Sequence, residues 1–418
     1  MLSDELVKRR LSPAAEAALE ASPVTAITGP RTAGKSTLAR QIVDATGGTF
    51  LDLDDPAVRR LAAGDPSAFV RGLAEPIVLD EFQRVPELLA AIKAELNRDR
   101  RPGRYVLTGS ARHDVVPQLA EYLTGRVELL TLWPFAAAEL NGGATSVVDR
   151  LFDGSILAER RDTGISHEDL VRLVLRGGFP IAVGLADNAR ARWFTNLATL
   201  AVERISEDVA RGRQTDQLAR FLRLCAARTG QQSNAADIGR DMGVAREPAA
   251  LYLRLLELAY LIIQVPAWSD SLSGRVAKRP KMHLADSGLA AHLQGVTADR
   301  LSPTDPAAVT RFGALLETFV VTEIIKQLGW SASSAAPYHF RTARGVDVDL
   351  VLEAADGRVC AVEVKAGSVA TGSATSGLSY LRDRLGDRFV AGLLLTTGSQ
   401  AQRLGDRLAV APVDVLWT

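Results

Sequence analysis

Along the first 150 residues, short apolar runs alternate with stretches in which apolar residues recur at helical spacing. Short apolar runs predict strands at VTAIT, GTFLDLD, PIVLDEF and RYVLTGS. Between them, helical spacing is found in KSTLARQIVDAT, PSAFVRGLA and PELLAAIKAELNRD. Strands and helices that alternate at this spacing predict a parallel sheet covered on both faces, and runs such as PIVLD suit strands buried on both sides. We therefore expect an α/β domain over residues 1–150.

Residues 151–300 are mainly amphipathic and helical. A short helix closed by a Gly turn is predicted for NAADIGRDMGV, and a second helix for AREPAALYLRLLELAYLI. Two strands joined by a loop follow in IIQVPAW and KMHLAD. Helix, turn, helix and β-ribbon is the winged-helix plan, which binds DNA in some proteins and serves as a spacer or protein contact in others.

Residues 301–418 predict a second α/β domain. The stretch RFGALLETFVVTEIIKQLGW has the spacing of an amphipathic helix, and PYHFRTARGVDVDLVLEA reads as a hairpin that turns at Gly345. Further strands are expected in RVCAVEVKAG, RFVAGLLLTTG and VDVLWT, with a helix in GLSYLRDRLG. The chain as a whole is therefore predicted to be a multidomain α/β protein.

Composition restricts the class of protein but does not indicate a function. The 418 residues are too many for one ordinary core, and 47% apolar with 23% charged residues is typical of a globular protein. Lysine and arginine number 49, as do aspartate and glutamate, so net charge indicates neither nucleic acid nor membrane. The two cysteines, Cys225 and Cys360, lack metal-ligand spacing. Without the apolar core of a signal peptide or a spanning run, we expect a cytoplasmic protein with no membrane contact.

One motif after the first strand carries specific chemistry. Gly29, four further residues, Gly34, Lys35 and Ser36 match the P-loop pattern, with a strand before and a helix after. The alternative is a Gly-containing turn with a surface lysine, but such a turn does not require a strand before it and a helix after it. The glycines allow a cradle of inward-pointing amides, the lysine reaches the β- and γ-phosphates of ATP, and the serine hydroxyl can ligate Mg²⁺. The residues expected around the phosphates are Gly29, Pro30, Arg31, Thr32, Ala33, Gly34, Lys35, Ser36 and Thr37.

Polar residues at later strand ends extend this site. Asp80 is expected to hold the Mg²⁺, and Glu81 to orient or deprotonate the attacking water. Thr108, at the tip of the next strand, can contact the γ-phosphate or the water, or can simply cap a helix. Arg126 is a candidate cation for the γ-phosphate, within one chain or from a neighbouring subunit of a homo-oligomer, with a surface or salt-bridged arginine as the alternative.

The C-terminal segment contains a second group of acids. Asp349 and then Glu363-Val364-Lys365 form an acid…acid-x-Lys pattern, in which Glu363 and Lys365 share one strand face. Two carboxylates from adjacent strands can hold Mg²⁺ that activates water, with the lysine assisting. Glu317 on the preceding helix is expected to complete the metal ligands. Asp347 shares the face of Asp349 and is an alternative ligand.

Together the motifs resemble those of prokaryotic ATPases of the AAA-type P-loop class that carry a C-terminal domain of unknown function. The resemblance rests on GPRTAGKST, IVLDEFQRVPELLAAIK, YVLTGSAR, LTGRVELLTLWPFAAAEL, GGFP, GLAAHL, GALLETFVVTEI, RGVDVDL and AVEVKAG. It implies ATP binding and hydrolysis over residues 1–150, a winged-helix connector over 151–300, and a restriction-endonuclease-like fold similar to PD-(D/E)xK nucleases over 301–418. Asp347 stands where members more often carry Glu.

These observations lead to one leading functional hypothesis and two rivals. We expect a Mg²⁺-dependent ATPase that couples nucleotide state to the binding or cleavage of DNA or RNA. The first rival is an ATP-gated signalling switch or scaffold without nuclease activity. The second is a DNA-binding regulator whose oligomerisation is set by ATP.

Overall fold

The computed structural model describes residues 7–110, 112–143, 145–158, 165–209, 215–232, 234–302, 305–367 and 372–418. Contacts divide the chain into two compact units. The first comprises the residues up to Phe135 together with Leu258–Tyr260, and the second comprises Ala136–Glu257 and Leu261–Thr418. The predicted middle and C-terminal segments therefore lie mostly in one unit, and the three sequence-based boundaries stay a prediction. Among the described residues, no helix is long and apolar enough to cross a membrane.

The first unit contains the predicted parallel sheet. Its strands are β1 (Val24–Thr28), β2 (Thr49–Asp52), β3 (Ile77–Asp80), β4 (Tyr105–Gly109) and β5 (Val127–Thr131). Its helices are α1 (Ser12–Ala21), α2 (Lys35–Thr46), α3 (Pro56–Gly64), α4 (Pro66–Phe69), α5 (Glu87–Arg98) and α6 (Arg112–Leu123). All pairings are parallel, in the order β2-β3-β4-β1-β5.

Burial explains which strands the sequence pattern identified. Every residue of β1, β3 and β4 is buried, as expected for strands covered on both faces. Two apolar clusters cover the sheet, one including Leu88 and Leu119 and the other including Leu38 and Leu19. The edge strand β5 is only half-buried and was not predicted, because VELLT lacks a continuous apolar run.

The second unit holds the remaining elements. Its helices are α7 (Ala137–Leu140), α8 (Val147–Phe152), α9 (His167–Arg176), α10 (Pro180–Val183), α11 (Asp187–Val209), α12 (Thr215–Ala227), α13 (Ala235–Met242), α14 (Arg246–Leu258), α15 (Leu272–Ala277), α16 (Ser287–Leu293), α17 (Pro306–Leu328) and α18 (Ser376–Leu385). Its strands are β6 (Gln231–Gln232), β7 (Ile262–Val265), β8 (Lys281–Leu284), β9 (Ala335–Arg341), β10 (Asp347–Ala354), β11 (Val359–Lys365), β12 (Phe389–Thr396), β13 (Gln402–Gly405) and β14 (Leu408–Pro412).

Two sheets organise this unit. A small antiparallel sheet has the order β6-β8-β7, and a six-stranded mixed sheet has the order β13-β14-β12-β11-β10-β9. The predicted pair of helices, α13 and α14, is followed by β7 and β8, but α15 lies between the two strands where only a loop was expected. These elements leave the winged-helix assignment a prediction.

The prediction of a terminal strand in VDVLWT was wrong. Residues Val413–Leu416 form a 3₁₀ turn directly after β14, and all four are buried. Pro412 fixes its own φ at −63° and has no N–H to continue the ladder, which accounts for the change of direction. The apolar residues of VDVLWT that suggested a strand are instead buried in this turn.

The start of α16 packs closely on the end of α9. The Asp286 carboxylate accepts hydrogen bonds from the amides of Gly178 at 2.7 Å and Leu289 at 2.9 Å. A Cβ atom on Gly288 would lie 2.7 Å from the backbone nitrogen of Gly177, closer than real Cβ atoms approach. Glycine at this position is therefore required by the contact between the two helices.

We expect Gly288→Ala to destabilise the second unit by about 1–3 kcal/mol, because backbone atoms must shift to admit the methyl group. Gly313→Ala is the matched control, since a Cβ there meets no atom closer than 3.8 Å. Urea unfolding followed by circular dichroism should show a lower midpoint only for Gly288→Ala. Equal midpoints for the two variants would contradict the close packing.

Candidate functional site

The predicted nucleotide site lies at the carboxyl edge of the five-stranded sheet. Thr28, the last residue of β1, pairs with Gly109 of β4, and Leu79 of β3 pairs with Leu107 of the same strand. Asp80 comes directly after Leu79, and Thr108 comes directly after Leu107. Because the strands are parallel, both side chains stand at the edge from which the P-loop departs.

Backbone conformation in the loop depends on glycine. Gly29 has a φ of 150°, and a Cβ there would lie 2.1 Å from the carbonyl oxygen of Leu132. Gly34 has a φ of 97° and precedes α2. Thr32 also has a positive φ, 60°, which is uncommon outside glycine and typical of strained functional loops. The loop is thereby folded tightly in front of the first turn of α2.

Lys35 is buried inside this loop, with only 4% of its surface exposed. Its Nζ donates to the carbonyl oxygens of Gly29 at 3.1 Å and Pro30 at 2.9 Å. Burial lowers the pKa of Lys35 to about 8, against the opposing effect of Glu81 and Asp80. Phosphate oxygens are stronger acceptors than these carbonyls because they are anionic, so a bound triphosphate would recruit the ammonium group.

Asp80 and Ser36 lie within hydrogen-bonding reach of each other. The Asp80 carboxylate accepts hydrogen bonds from the hydroxyl groups of Thr108 and Ser36. Burial raises the pKa of Asp80, and the two hydrogen bonds oppose that shift. A hydroxyl and a carboxylate are the hard oxygen ligands that Mg²⁺ prefers, so the residues present fit a magnesium site beside the P-loop.

Glu81 is held in a defined orientation. Its φ is 54°, and its amide donates to the Thr108 hydroxyl at 3.0 Å. Its carboxylate accepts hydrogen bonds from Ser110 at 2.6 Å and from the side-chain amide of Gln83. Thr108 thus links the two acids. A carboxylate anchored in this way is suited to orienting a water molecule next to the phosphates.

Sequence reasoning missed one residue that supports the loop. Arg9 is 6% exposed, and it donates to the carbonyl oxygens of Ala33 and Trp133, both at 2.7 Å. Its guanidinium also lies 4.7 Å from the ring centroid of Phe135. Arg9 therefore ties the P-loop to the segment that follows β5. No local spacing in KRRLS signals this contact, because its partners are distant in sequence.

The structure does not bring Arg126 to the P-loop of the same chain. Arg126 precedes Val127, which pairs with Val24 at the start of β1, so it lies at the amino edge of the sheet. Its Nη1 donates to the carbonyl oxygen of Lys93 at 3.4 Å. A role within one chain lacks support from this position, and a role across a subunit interface stays a prediction. The Thr37 side chain is exposed on α2.

The C-terminal acids converge in the second unit, but around a lysine. Lys281 of β8 has its Nζ 2.7 Å from Asp349 Oδ1 and 2.8 Å from Glu317 Oε1. The other oxygen of Asp349 accepts the amide of Val364 at 2.9 Å. Glu363 lies alongside, with its Oε2 3.4 Å from the Asp349 amide nitrogen. We call the group formed by Lys281, Glu317, Asp349, Glu363 and Lys365 the acid cluster.

Electrostatics in the acid cluster follow from burial. Burial and the neighbouring Asp349 raise the pKa of Glu317 to about 8 and that of Glu363 to about 7. Burial opposes ionisation of Asp349 as well, but the Lys281 ammonium and its hydrogen bond bring that pKa below its usual value. Asp349 and Lys281 therefore form the ion pair at the centre.

The acid cluster does not fit the predicted divalent metal. In the part of the chain that the structure describes, no group of three or more His, Cys, Asp or Glu side chains could hold a metal ion. Lys281 bridges two of the three predicted ligands, Glu317 and Asp349, while Lys365 pairs with the third, Glu363. The sequence pattern placed the acids together but gave no indication of Lys281.

We expect Arg9→Ala to weaken ATP binding by about tenfold or more, because the P-loop loses the charged hydrogen bond at Ala33 and, with it, the link to Trp133. The measurement is titration with a fluorescent ATP analogue, with the melting temperature followed in parallel. Lys8→Ala is the control, since Lys8 is exposed on the same segment. An unchanged ATP affinity in a folded Arg9→Ala protein would show that the contact does not support the loop.

Comparison with known families covers most of the chain. Residues 21–141 match the AAA domain family, residues 167–300 a domain of unknown function (DUF8612), and residues 312–416 another domain of unknown function (DUF4143). The AAA match and the parallel sheet support ATP binding and hydrolysis by the first unit.

Two solved structures are similar to part of the chain at low identity. The Walker-type ATPase PABY2304 of Pyrococcus abyssi is 17% identical with a TM-score of 0.45, and covers 70% of this chain and 97% of its own. The RuvB Holliday junction branch migration motor of Thermotoga maritima is 21% identical with a TM-score of 0.29, and covers 62% of this chain and 89% of its own.

Two curated relatives are similar over the full length. They are the uncharacterized proteins Rv2008c of Mycobacterium tuberculosis and Mb2031c of Mycobacterium bovis, each 30% identical over 100% of this chain and 86% of the relative. The chain therefore belongs to the same family as these two mycobacterial proteins, and its residues 21–141 match the AAA domain family.

Proposed function

We propose that this protein is a Mg²⁺-dependent ATPase whose nucleotide state acts as a switch, and that its C-terminal domain does not cleave nucleic acid. The observation that carries the proposal is the hydrogen-bonded network of Ser36, Asp80, Thr108 and Glu81 beside the P-loop. In that network one acid contacts the serine of the P-loop and the other is held separately. Two acids in two environments can take two roles.

Each group has a role that its position supports. Lys35 and the loop amides would bind the β- and γ-phosphates. Ser36 and Asp80 would hold Mg²⁺, which neutralises phosphate charge when bound. Glu81, fixed by Ser110 and Gln83, would accept a proton from the attacking water or orient it.

The switch reading is favoured over nuclease coupling because of the acid cluster. The nuclease hypothesis requires Glu317, Asp349 and Glu363 to bind a catalytic metal, and two of these carboxylates are instead bridged by Lys281. DNA or RNA binding by the middle segment stays a prediction, as does oligomerisation set by ATP. ATP turnover measured with and without DNA and RNA tests nucleic-acid binding, because the turnover rate of a coupled ATPase should change when its nucleic acid is added.

We expect Glu81→Gln to bind ATP with unchanged affinity but to hydrolyse it about 10²-fold more slowly or worse, because the proton acceptor is lost while the shape is kept. Lys35→Ala should lose both binding and turnover. The assay is phosphate release at saturating ATP and Mg²⁺, with binding measured separately. Glu87→Gln, an exposed acid at the start of α5, is the matched control. Turnover by Glu81→Gln at the rate of the control would remove Glu81 from the mechanism.

A further inference from the structure

We propose that the ammonium group of Lys281 takes the place of a divalent cation in the acid cluster, and that it fixes strand β8 to helix α17 and strand β10. The C-terminal sheet then serves as a metal-independent anchor for the small sheet that contains β8. This inference concerns the second unit alone, so its test is independent of ATP hydrolysis by the P-loop.

The position of Lys281 is the first support. Its side chain is 6% exposed, and its Nζ lies within hydrogen-bonding distance of two carboxylates that come from different elements. Glu317 belongs to α17 and Asp349 to β10. The lysine side chain is long and flexible, but both of its ends are held. Its backbone lies in β8, the central strand of the small sheet, and its Nζ contacts the two carboxylates.

The second support is that both oxygens of the Asp349 carboxylate already have a partner. One oxygen bonds to Lys281 and the other accepts the amide of Val364. Mg²⁺ binds oxygen at 2.0–2.1 Å and tolerates little distortion of its octahedral geometry. To bind both Asp349 and Glu317, the ion would have to stand beside a buried ammonium group of the same sign, at a large electrostatic cost.

The surroundings of Lys281 on β8 form a continuous polar layer against α17. His283 Nδ1 lies 3.2 Å from the Thr318 hydroxyl, which lies 2.8 Å from the hydroxyl of Thr229. The Thr229 hydroxyl in turn accepts the amide of Leu284 at 3.1 Å. Burial, with a further contribution from Lys281, lowers the pKa of His283 to about 3, so this histidine stays neutral and Lys281 supplies the cation. The contact between β8 and α17 thus includes a neutral hydrogen bond at His283 as well as the contacts of Lys281.

Lys365 offers an internal comparison. It carries the same charge in the same cluster, but its side chain is 45% exposed and, among the residues that the structure describes, it pairs with Glu363 alone. If loss of any positive charge were sufficient to admit a metal, both lysines would behave alike. If the bridging position matters, only Lys281 excludes the metal.

The test is Mn²⁺ binding by the full-length protein, followed by electron paramagnetic resonance of unbound Mn²⁺ and by calorimetry in the absence of nucleotide. We expect Lys281→Met to gain a Mn²⁺ site at least about tenfold tighter than any wild-type binding, because two carboxylates lose their cation. The double variant Lys281→Met with Asp349→Asn should lose that site. Lys365→Met should gain none.

Stability provides a second readout. Lys281→Met should melt at a lower temperature than wild type, and Mn²⁺ should raise the melting temperature of this variant while leaving wild type unchanged. A folded Lys281→Met protein that gains no Mn²⁺ site would overturn the proposal, as would an equal gain in Lys365→Met.

If Lys281→Met does not fold, a comparison of wild type with Asp349→Asn decides the question. Wild type and Asp349→Asn should then bind Mn²⁺ equally, since any binding comes from the P-loop region. Mn²⁺ binding by wild type that Asp349→Asn abolishes would show that the acid cluster holds a metal despite Lys281, and the proposal would be wrong.

Discussion

The parallel pairing of β4 between β1 and β3 is the constraint on which the nucleotide site depends. It brings Asp80 and Thr108 to the edge where the P-loop begins, although these residues lie far apart in sequence. The Thr108 hydroxyl then connects Asp80 to Glu81. An antiparallel arrangement would send one of these strand ends to the opposite edge. Sheet register, rather than any single contact, therefore assembles the groups that would act on ATP.

Strain in the loop is balanced by contacts from outside it. Thr32 in the loop and Glu81 after β3 have positive φ values, which cost free energy in residues other than glycine unless the surroundings hold them. Arg9 supplies part of that support from the chain segment before α1. The loop that contains the Lys35 ammonium is thereby held at Ala33 by a contact from outside the motif. The site is preorganised by its neighbours and not by the motif alone.

The two groups of acids at sheet strands show how one residue pattern leads to different chemistry. Asp80 meets hydroxyl groups, and a hydroxyl oxygen can bind the same cation as a carboxylate. Asp349 and Glu317 meet a buried ammonium group, which forms an ion pair with Asp349. Carboxylates at adjacent strands are thus insufficient evidence for a metal. The third side chain that enters the space decides between a metal site and an ion-paired anchor.

The sequence by itself determined the features that depend on neighbours along the chain. Gly29 and Lys35 are close in sequence, and the apolar run before Asp80 identifies a buried strand, so local spacing predicted the nucleotide site and the parallel sheet. Only the tertiary structure placed Arg9 against Trp133, which is 124 residues away, and Lys281 against Asp349, which is 68 residues away. Periodicity and motif spacing report short-range order, and long-range partners leave no trace in them. A lysine on a short strand is therefore indistinguishable, before folding, from one exposed to solvent.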